Sequence, residues 1–472
     1  MRVFFRFISK LIFNRYVGIA FITAVLVSTI FIGGFNKNKP DLQHLFAESM
    51  MVTDQPPVVF IHGVLGGKLR NTETNEEVWP GSALNLLFGN HDHLALKIDS
   101  DSLMATPDAY EAFAIADSTA GKDFYGNIIK TLSEYGGYQE ANPGQEIDTS
   151  NKYYYPFVYD WRQDNVKTAA KLADFIDQIR KDYNNPDLKV DLVAHSMGGL
   201  ISRYFIRYGR ADVLDDNEFP VSLYGGERVR RVILLGTPNL GSVKLMNGFI
   251  DGIKLGLGKI NPEILATMPS LYQLMPHPLN NWIVTEQGKK LERDLFDINV
   301  WRQFEWNIFD PIVRARIEAQ FPKTEDAEAH MKTLESYFGK TIERARRFVW
   351  SLTVPLPEKH PKLIVFGGDC TMTPARIVVE EVDGVSMIRM HPDEITNPDP
   401  TIDYENLLME PGDGAVTKAS LLGRNVLDPS IPRHKFSFFP LDHAVLLCEK
   451  HNNLTGNISF QDNLLNALLV RD

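Results

Sequence analysis

The sequence predicts an α/β fold, with a mostly parallel central sheet, helices on both faces and an inserted, largely helical cap. Three observations carry this. Short apolar runs ending in glycine-rich turns alternate with stretches of helical periodicity, the pattern of a parallel sheet covered on both faces. One run, Val190 to Ala194, breaks at Ser196 and restarts at once as a helix. The long middle stretch, 243–353, lacks strand patterning and carries Pro262, Pro269, Pro276 and Pro278, which marks it as an insertion.

The elements follow in order. Arg2, Arg6, Lys10 and Arg15 precede an uncharged stretch, 16–35. Its 20 residues, at ~1.5 Å rise each, span ~30 Å, the thickness of a bilayer core. Such a segment reads as a signal anchor or signal peptide. The weak cleavage sequence at Ile32-Gly33-Gly34 favours an anchor. The basic flank then stays in the cytoplasm, and the body is expected on the extracytoplasmic side, membrane-anchored or secreted. Residues 36–56 read as a linker. An α/β core is expected from 57–242 and 354–472, with the cap from 243–353. Within the core, strands are expected at 57–61, 153–159, 188–194, 229–235, 362–366 and 436–441. Helices are expected at 165–183, 198–208 and 460–469, and a hairpin turning at Asp383-Gly384 at 378–390. In the cap, Leu245, Phe249, Ile250, Ile253, Leu255, Leu257 and Ile260 follow helical spacing, as internal packing or as a lid.

Composition narrows the class. The chain has 472 residues, 44% of them hydrophobic, enough for a large core, and a formal net charge of −11 that argues against nucleic acid as a partner. Its two cysteines, Cys370 and Cys448, are too few for a cysteine zinc site. They form one bridge or none. His91-Asp92-His93 reads as solvated surface rather than a metal site, so neither cofactor nor metal is called for. Asn453 and Asn457 begin glycosylation sequons.

The chemistry gathers around Ala194-His195-Ser196-Met197-Gly198, the small-x-Ser-x-Gly form of a nucleophile elbow. The serine occupies a sharp strand-to-helix turn, and its neighbours two residues away must be small. A serine hydroxyl is a weak nucleophile and needs a base, which needs an orienting acid. Asp413, between Gly412 and Gly414, is the acid candidate. His443, expected just beyond the strand at 436–441, is the base candidate. His195 would point away from the serine, His434 precedes that strand, and His360, His391 and His451 lack a matching context. His62 fits better beside the oxyanion hole. The hole needs two backbone N–H groups, expected from Met197 and from the turn His62-Gly63-Val64-Leu65, with Val64 the donor and Leu65 the fallback.

Further landmarks are His62-Gly63-Val64-Leu65-Gly66-Gly67-Lys68-Leu69, Tyr159-Asp160-Trp161-Arg162, Gly236-Thr237-Pro238 and Pro269-Ser270-Leu271-Tyr272-Gln273-Leu274-Met275-Pro276. In this order, with the elbow and Gly412-Asp413-Gly414, they resemble the lecithin:cholesterol acyltransferase family of α/β-hydrolases, from about Pro57 to Gly456. The resemblance implies an α/β-hydrolase fold, a Ser196, Asp413 and His443 triad, an oxyanion hole from Val64 and Met197, acyl-ester substrates and a cap over the acyl chains. Asp160 and Arg162 are expected to form a structural ion pair. The chain departs from the family at His62, where proline is common, and its cysteines do not fall where the vertebrate disulfides do. The expected activity is that of a serine esterase on acyl esters, those of lipids foremost: a lipase, phospholipase or O-acyltransferase working through an acyl-enzyme on Ser196. Its alternatives are a hydrolase of non-lipid esters or amides and an inactive, surface-anchored binding protein.

Overall fold

The computed structural model describes residues 55–89, 91–119, 122–280, 282–424 and 439–469. The segment expected to anchor the chain, the linker up to residue 54 and His434 lie outside these. No helix among the described residues is long and apolar enough to cross a membrane.

Seven strands form the central sheet: β1 (Val58–Ile61), β2 (Tyr138–Glu140), β3 (Lys152–Phe157), β4 (Val190–His195), β5 (Val229–Leu235), β6 (Lys362–Gly368) and β7 (His443–Leu447). Their order across the sheet is β7-β6-β5-β4-β1-β3-β2, and every neighbouring pair is parallel. Side chains alternate between faces, as the pleat requires. Val59, Ile61, Leu192, Ala194, Val232 and Leu234 pack into one core. Val58, Phe60, Val193, Ile233, Leu235 and Phe366 pack into a second core on the opposite face, with Phe460, Leu464 and Leu468. Two elements differ from expectation. β2 is only three residues long, too short to stand out as a pattern. The last strand among the described residues is β7; of the strand expected at 436–441, residues 436–438 lie outside the described residues and 439–441 are not part of the sheet. Pro440 has no N–H to give a ladder, and the β-branched and aliphatic run after it pairs with β6 instead.

The chain order creates the crevice. After β1 the chain runs to the sheet edge for β2, returns beside β1 for β3, then crosses to the other side of β1 for β4. The carboxyl ends of β1 and β4 therefore diverge at a topological switch point, where ligands bind in open α/β sheets. Helices α1 (Asn165–Asp182) and α2 (Met197–Tyr208) pack beside each other after β3 and β4.

Among the described residues, none between β5 and β6 adds a strand to this sheet. Helix α3 (Val243–Asp251) buries Val243, Met246, Phe249 and Ile250. The expected helical run stops there. Gly252, at φ +95°, ends the helix, and the chain turns back as a hairpin, Ile253–Leu255 with Gly258–Ile260. Leu255, Leu257 and Ile260 thus lie on or between strands. Phe249 belongs to a buried aromatic cluster with Tyr272, Trp301 and Phe338, its ring centroid 4.7 Å from that of Tyr272. The long helix α4 (Thr324–Ser351) presents Met331, Leu334, Phe338, Ile342, Ala345 and Phe348 on one buried stripe. The carbonyls at its end and just beyond it are met by side chains of α2. Tyr208 Oη donates to Ser351 O at 2.7 Å, Arg203 Nη2 to Leu352 O at 2.6 Å and Arg207 Nε to Val354 O at 3.2 Å. Both guanidiniums are buried, and burial lowers the pKa of Arg207 to about 10 and that of Arg203 further. Cations at the negative end of a long helix offset part of that desolvation.

Candidate active site

Strand β4 delivers Ser196 and α2 begins at Met197. Ser196 has φ 53° and ψ −122°, a conformation rare for any residue with a side chain. It costs about 1–3 kcal/mol and persists only where the surroundings enforce it. Here the Ser196 N–H donates to Leu235 O at 2.8 Å and its carbonyl accepts from Gly199. Gly198 is required by close approach: a Cβ there would lie 2.6 Å from the carbonyl oxygens of Ile61 and His62. Ala194, at the position where glycine is usual, is fully buried in β4, and its methyl is accommodated.

Asp413 follows the short strand Met409–Gly412, which pairs antiparallel with Thr371–Pro374. Its relative exposure is only 2%. One carboxylate oxygen accepts from the N–H groups of Ala415 (2.9 Å) and Val416 (2.7 Å). The other lies 2.8 Å from Nδ1 of His451, and the main-chain N–H of His451 donates to the Asp413 carbonyl at 2.9 Å. Nε2 of His451 is 3.2 Å from Ser196 Oγ. Burial opposes the Asp413 charge, but His451 and the two amides outweigh it, so the carboxyl pKa lies below its usual range. Burial also opposes an imidazolium at His451, yet the Asp413 carboxylate overrides it and raises the pKa above 6.5.

The structure brings Ser196 and Asp413 together, as expected, but not His443. His443 opens β7, pairs with Ile364 and is exposed. In a parallel sheet the site lies at the carboxyl ends of the strands, so a residue at the amino end of β7 is on the wrong side of the sheet. The imidazole that reaches the serine belongs to His451, which begins a 3₁₀ turn after β7. The sequence carried a usable clue. Taking Pro440 as excluding a strand moves the last strand to 443–447, and the next histidine beyond it is His451.

His451 needs room, and Gly236 supplies it. Gly236 has φ +60°, and a Cβ there would sit 3.0 Å from both Cε1 and Nδ1 of His451. Gly236→Ala should therefore lose about 1–3 kcal/mol of stability through its backbone. It should also lower kcat by about 100-fold by displacing the ring. Chemical unfolding and steady-state kinetics on one purified variant check both.

The turn after β1 is braced on several sides. The Gly66 N–H donates to Gly63 O at 3.2 Å, and Leu65 takes a left-handed φ of 63°. This leaves the Val64 N–H outside the turn's own hydrogen bond, while Met197 N–H, first in α2, has no intrahelical acceptor. The role of the Tyr-Asp-Trp-Arg segment becomes clear at this turn. Tyr159 stacks on His62 with centroids 4.0 Å apart and donates to His62 O at 2.6 Å. Trp161 Nε1 donates to Gly67 O at 3.2 Å, and Trp79 Nε1 to Leu65 O at 3.0 Å. Arg162, fully buried, pairs with Asp160 (2.8 Å) and also with Asp108 (2.7 Å). The segment at 269–276 docks on the same region: Ser270 Oγ donates to Trp161 O at 2.6 Å, and the Asn165 N–H donates to Gln273 Oε1 at 2.9 Å. Cys370 and Cys448 form a disulfide. His91 is buried against Trp79 and His93 bonds to Val78 O, and no group of three or more potential metal ligands is found among the described residues.

A seven-stranded parallel sheet with a serine on a strained strand-to-helix turn defines an α/β-hydrolase. The sequence model of the lecithin:cholesterol acyltransferase family matches residues 148–421, more than half of the chain, and the chain belongs to that family. It thereby falls among acyl-ester hydrolases and acyltransferases. A chain in the crystal structure of the Tle4–Tli4 complex has a similar fold, with 16% identity, 89% of this chain and 98% of that one covered, and a TM-score of 0.57. The mature Bacillus licheniformis lipase BlEst2 aligns at 14% identity over 88% of this chain and 93% of its own, with a TM-score of 0.33. The Staphylococcus hyicus lipase aligns at 13% identity over 88% and 93%, with a TM-score of 0.35.

Proposed function

We propose that the protein is a serine esterase acting on acyl esters of lipids, by hydrolysis or by acyl transfer to an alcohol. The reading rests on one observation above all, the chain of contacts from Ser196 Oγ through the His451 ring to Asp413. Ser196 attacks the ester carbonyl while His451 takes its proton. Asp413 holds Nδ1 protonated and stabilises the imidazolium. The N–H groups of Val64 and Met197 receive the oxyanion, and loss of one such donor costs about 3 kcal/mol of barrier. His451 then protonates the leaving alcohol, and a water or a second alcohol, deprotonated by His451, releases the acyl group. Residues 243–353 form the cap over this site.

Lipid as the substrate class is supported by family membership. An N-terminal membrane anchor, with the body outside the cytoplasm, is supported by the 16–35 sequence and by the disulfide, which persists in oxidising compartments. A fluorophosphonate probe should label the wild type and not Ser196→Ala. Incubation with radiolabelled phospholipid, with and without a sterol, then reads hydrolysis against transfer. A folded wild type that takes no label would sink the reading.

The pH dependence has a defined sign. Catalysis needs neutral His451, so kcat/KM rises with pH through the elevated His451 pKa. Asp413→Asn removes the cause of that elevation and should move the acid limb to lower pH while reducing kcat. The stability linkage of the pair has two limbs. The Asp413 contribution is present above its unfolded pKa and is lost as pH falls through the depressed folded value. The His451 contribution is present below 6.5 and is lost as pH rises through the raised folded value. The pair therefore stabilises most between the two.

A further inference from the structure

One buried side chain outside the proposed triad and oxyanion donors touches two of the loops that build the site. Tyr125 stands at the entry to the short helix Gly126–Lys130, held there by its own N–H to Asp117 O at 3.1 Å. Its relative exposure is 4%. The ring crosses Phe60 edge to face, with centroids 5.3 Å apart, and covers Gly66, where a Cβ would lie 2.7 Å from Tyr125 Cε2. The hydroxyl reaches between loops. It accepts the N–H of Gly63 at 2.8 Å and lies 2.9 Å from Nδ1 of His195.

The direction of the second bond follows from the single proton of the hydroxyl. Burial lowers the pKa of His195 to about 3, with His451 adding to the effect, so the ring is neutral at neutral pH. A phenol that accepts from an amide has its one proton to give, and the neutral imidazole offers its Nδ1 lone pair. The sequence is thus Gly63 N–H to Tyr125 Oη, and Tyr125 O–H to His195 Nδ1. His195 is the residue before Ser196, its ring lies 4.9 Å from that of His451, and it touches the His451 main chain. Gly63 is the residue before Val64. A single hydroxyl therefore fixes the peptide ahead of one oxyanion donor against the residue ahead of the nucleophile. The same clamp presses Gly63 against the elbow, where a Cβ on Gly63 would come within 2.8 Å of Ser196 Cβ.

We propose that Tyr125 is a positioning residue for the reaction, its hydroxyl setting the distance and angle between the Val64 N–H and Ser196 Oγ. This rests on the reading of Ser196 as nucleophile. The hydroxyl does not meet the substrate. It acts on the geometry in which the tetrahedral oxyanion, and not the ground-state ester, is bound, so its loss falls on kcat rather than KM.

The test compares Tyr125→Phe with Phe60→Leu, which loosens the packing of the same ring and keeps the hydroxyl. Both are assayed with 4-nitrophenyl butyrate, with phenylboronic acid as a tetrahedral mimic, and by thermal unfolding. Tyr125→Phe is expected to lower kcat by about 10- to 100-fold, below the full loss of an oxyanion donor, with KM within about twofold, and to weaken boronate binding in parallel. Phe60→Leu is expected to lower the melting temperature and keep kcat within about threefold. An unchanged kcat in Tyr125→Phe overturns the proposal. So does an equal kcat loss in both variants, which would make the role one of packing. So does a kcat loss without weaker boronate binding. Fluorophosphonate labelling separates this from the underlying reading. A wild type that labels, with a Tyr125→Phe variant that behaves as wild type, removes only the role of Tyr125; an unlabelled wild type removes the nucleophile and the positioning residue together.

Discussion

His451→Ala is expected to lower kcat by about 10,000-fold or more, with KM within about twofold, whereas His443→Ala leaves both parameters near wild type. The contrast follows from geometry. The His451 ring bridges Ser196 Oγ and the Asp413 carboxylate at 3.2 and 2.8 Å, and Asp413 also holds its main-chain N–H. Without that ring the serine has no acceptor for its proton, and the buried Asp413 carboxylate loses its partner. His443 is exposed at the amino end of β7 and contributes only its place in the ladder. Stopped-flow measurement of the acylation burst checks that the loss lies in chemistry and not in product release. Equal losses in the two variants would contradict the assignment of the base.

Replacing Cys370 and Cys448 together by serine is expected to destabilise the fold more than Gly236→Ala does. The bridged cysteines lie 78 residues apart in the chain, and for a loop of that size the chain-entropy relation gives about 4.5 kcal/mol. Its placement adds a functional effect. Cys370 leads into Thr371–Pro374, the strand that pairs with the one carrying Asp413, and Thr371 itself bridges to Asp413. Cys448 directly follows β7, three residues before His451. The bond therefore joins the support of the acid to the support of the base. The double variant should lose kcat more than KM, because the Asp413 to His451 distance is no longer held. Urea unfolding with and without dithiothreitol measures the first effect, and kinetics on the reduced wild type measure the second. Both cysteines are solvent-exposed, so the reductant can reach them.

The fold was legible wherever burial on both faces wrote a continuous apolar run, as in β1, β4 and β5. It was illegible where the strand was brief, as at Tyr138–Glu140, or where glycines redirect an apolar stretch, as Gly252 does after α3. Ser196 was legible because the backbone of an elbow restricts its neighbours to small residues. Asp413 was legible because glycines flank a carboxylate that must turn sharply. His451 lacked any such local constraint. What makes its position suitable, the space left by Gly236 and the double grip of Asp413, comes from residues distant in sequence. The aromatic run 436–441 drew the last strand too early and carried the base assignment with it. The Tyr-Asp-Trp-Arg segment was recognisable as a pattern but explicable only once Trp161 and Tyr159 were seen bracing the turn after β1.

Two guanidiniums and a phenol from α2 grip the end of α4, and this ties the position of α4 to that of α2. Swinging α4 outward would take the Leu352 carbonyl from Arg203 and the Val354 carbonyl from Arg207, leaving these buried guanidiniums the Asn239 and Arg203 acceptors, at a cost of about 1–3 kcal/mol for each bond lost. The far end of α4 and the helix that follows Ser196 are thus tied to each other. Movement within residues 243–353 is therefore expected to hinge away from this joint, and variants selected for bulkier substrates should accumulate elsewhere.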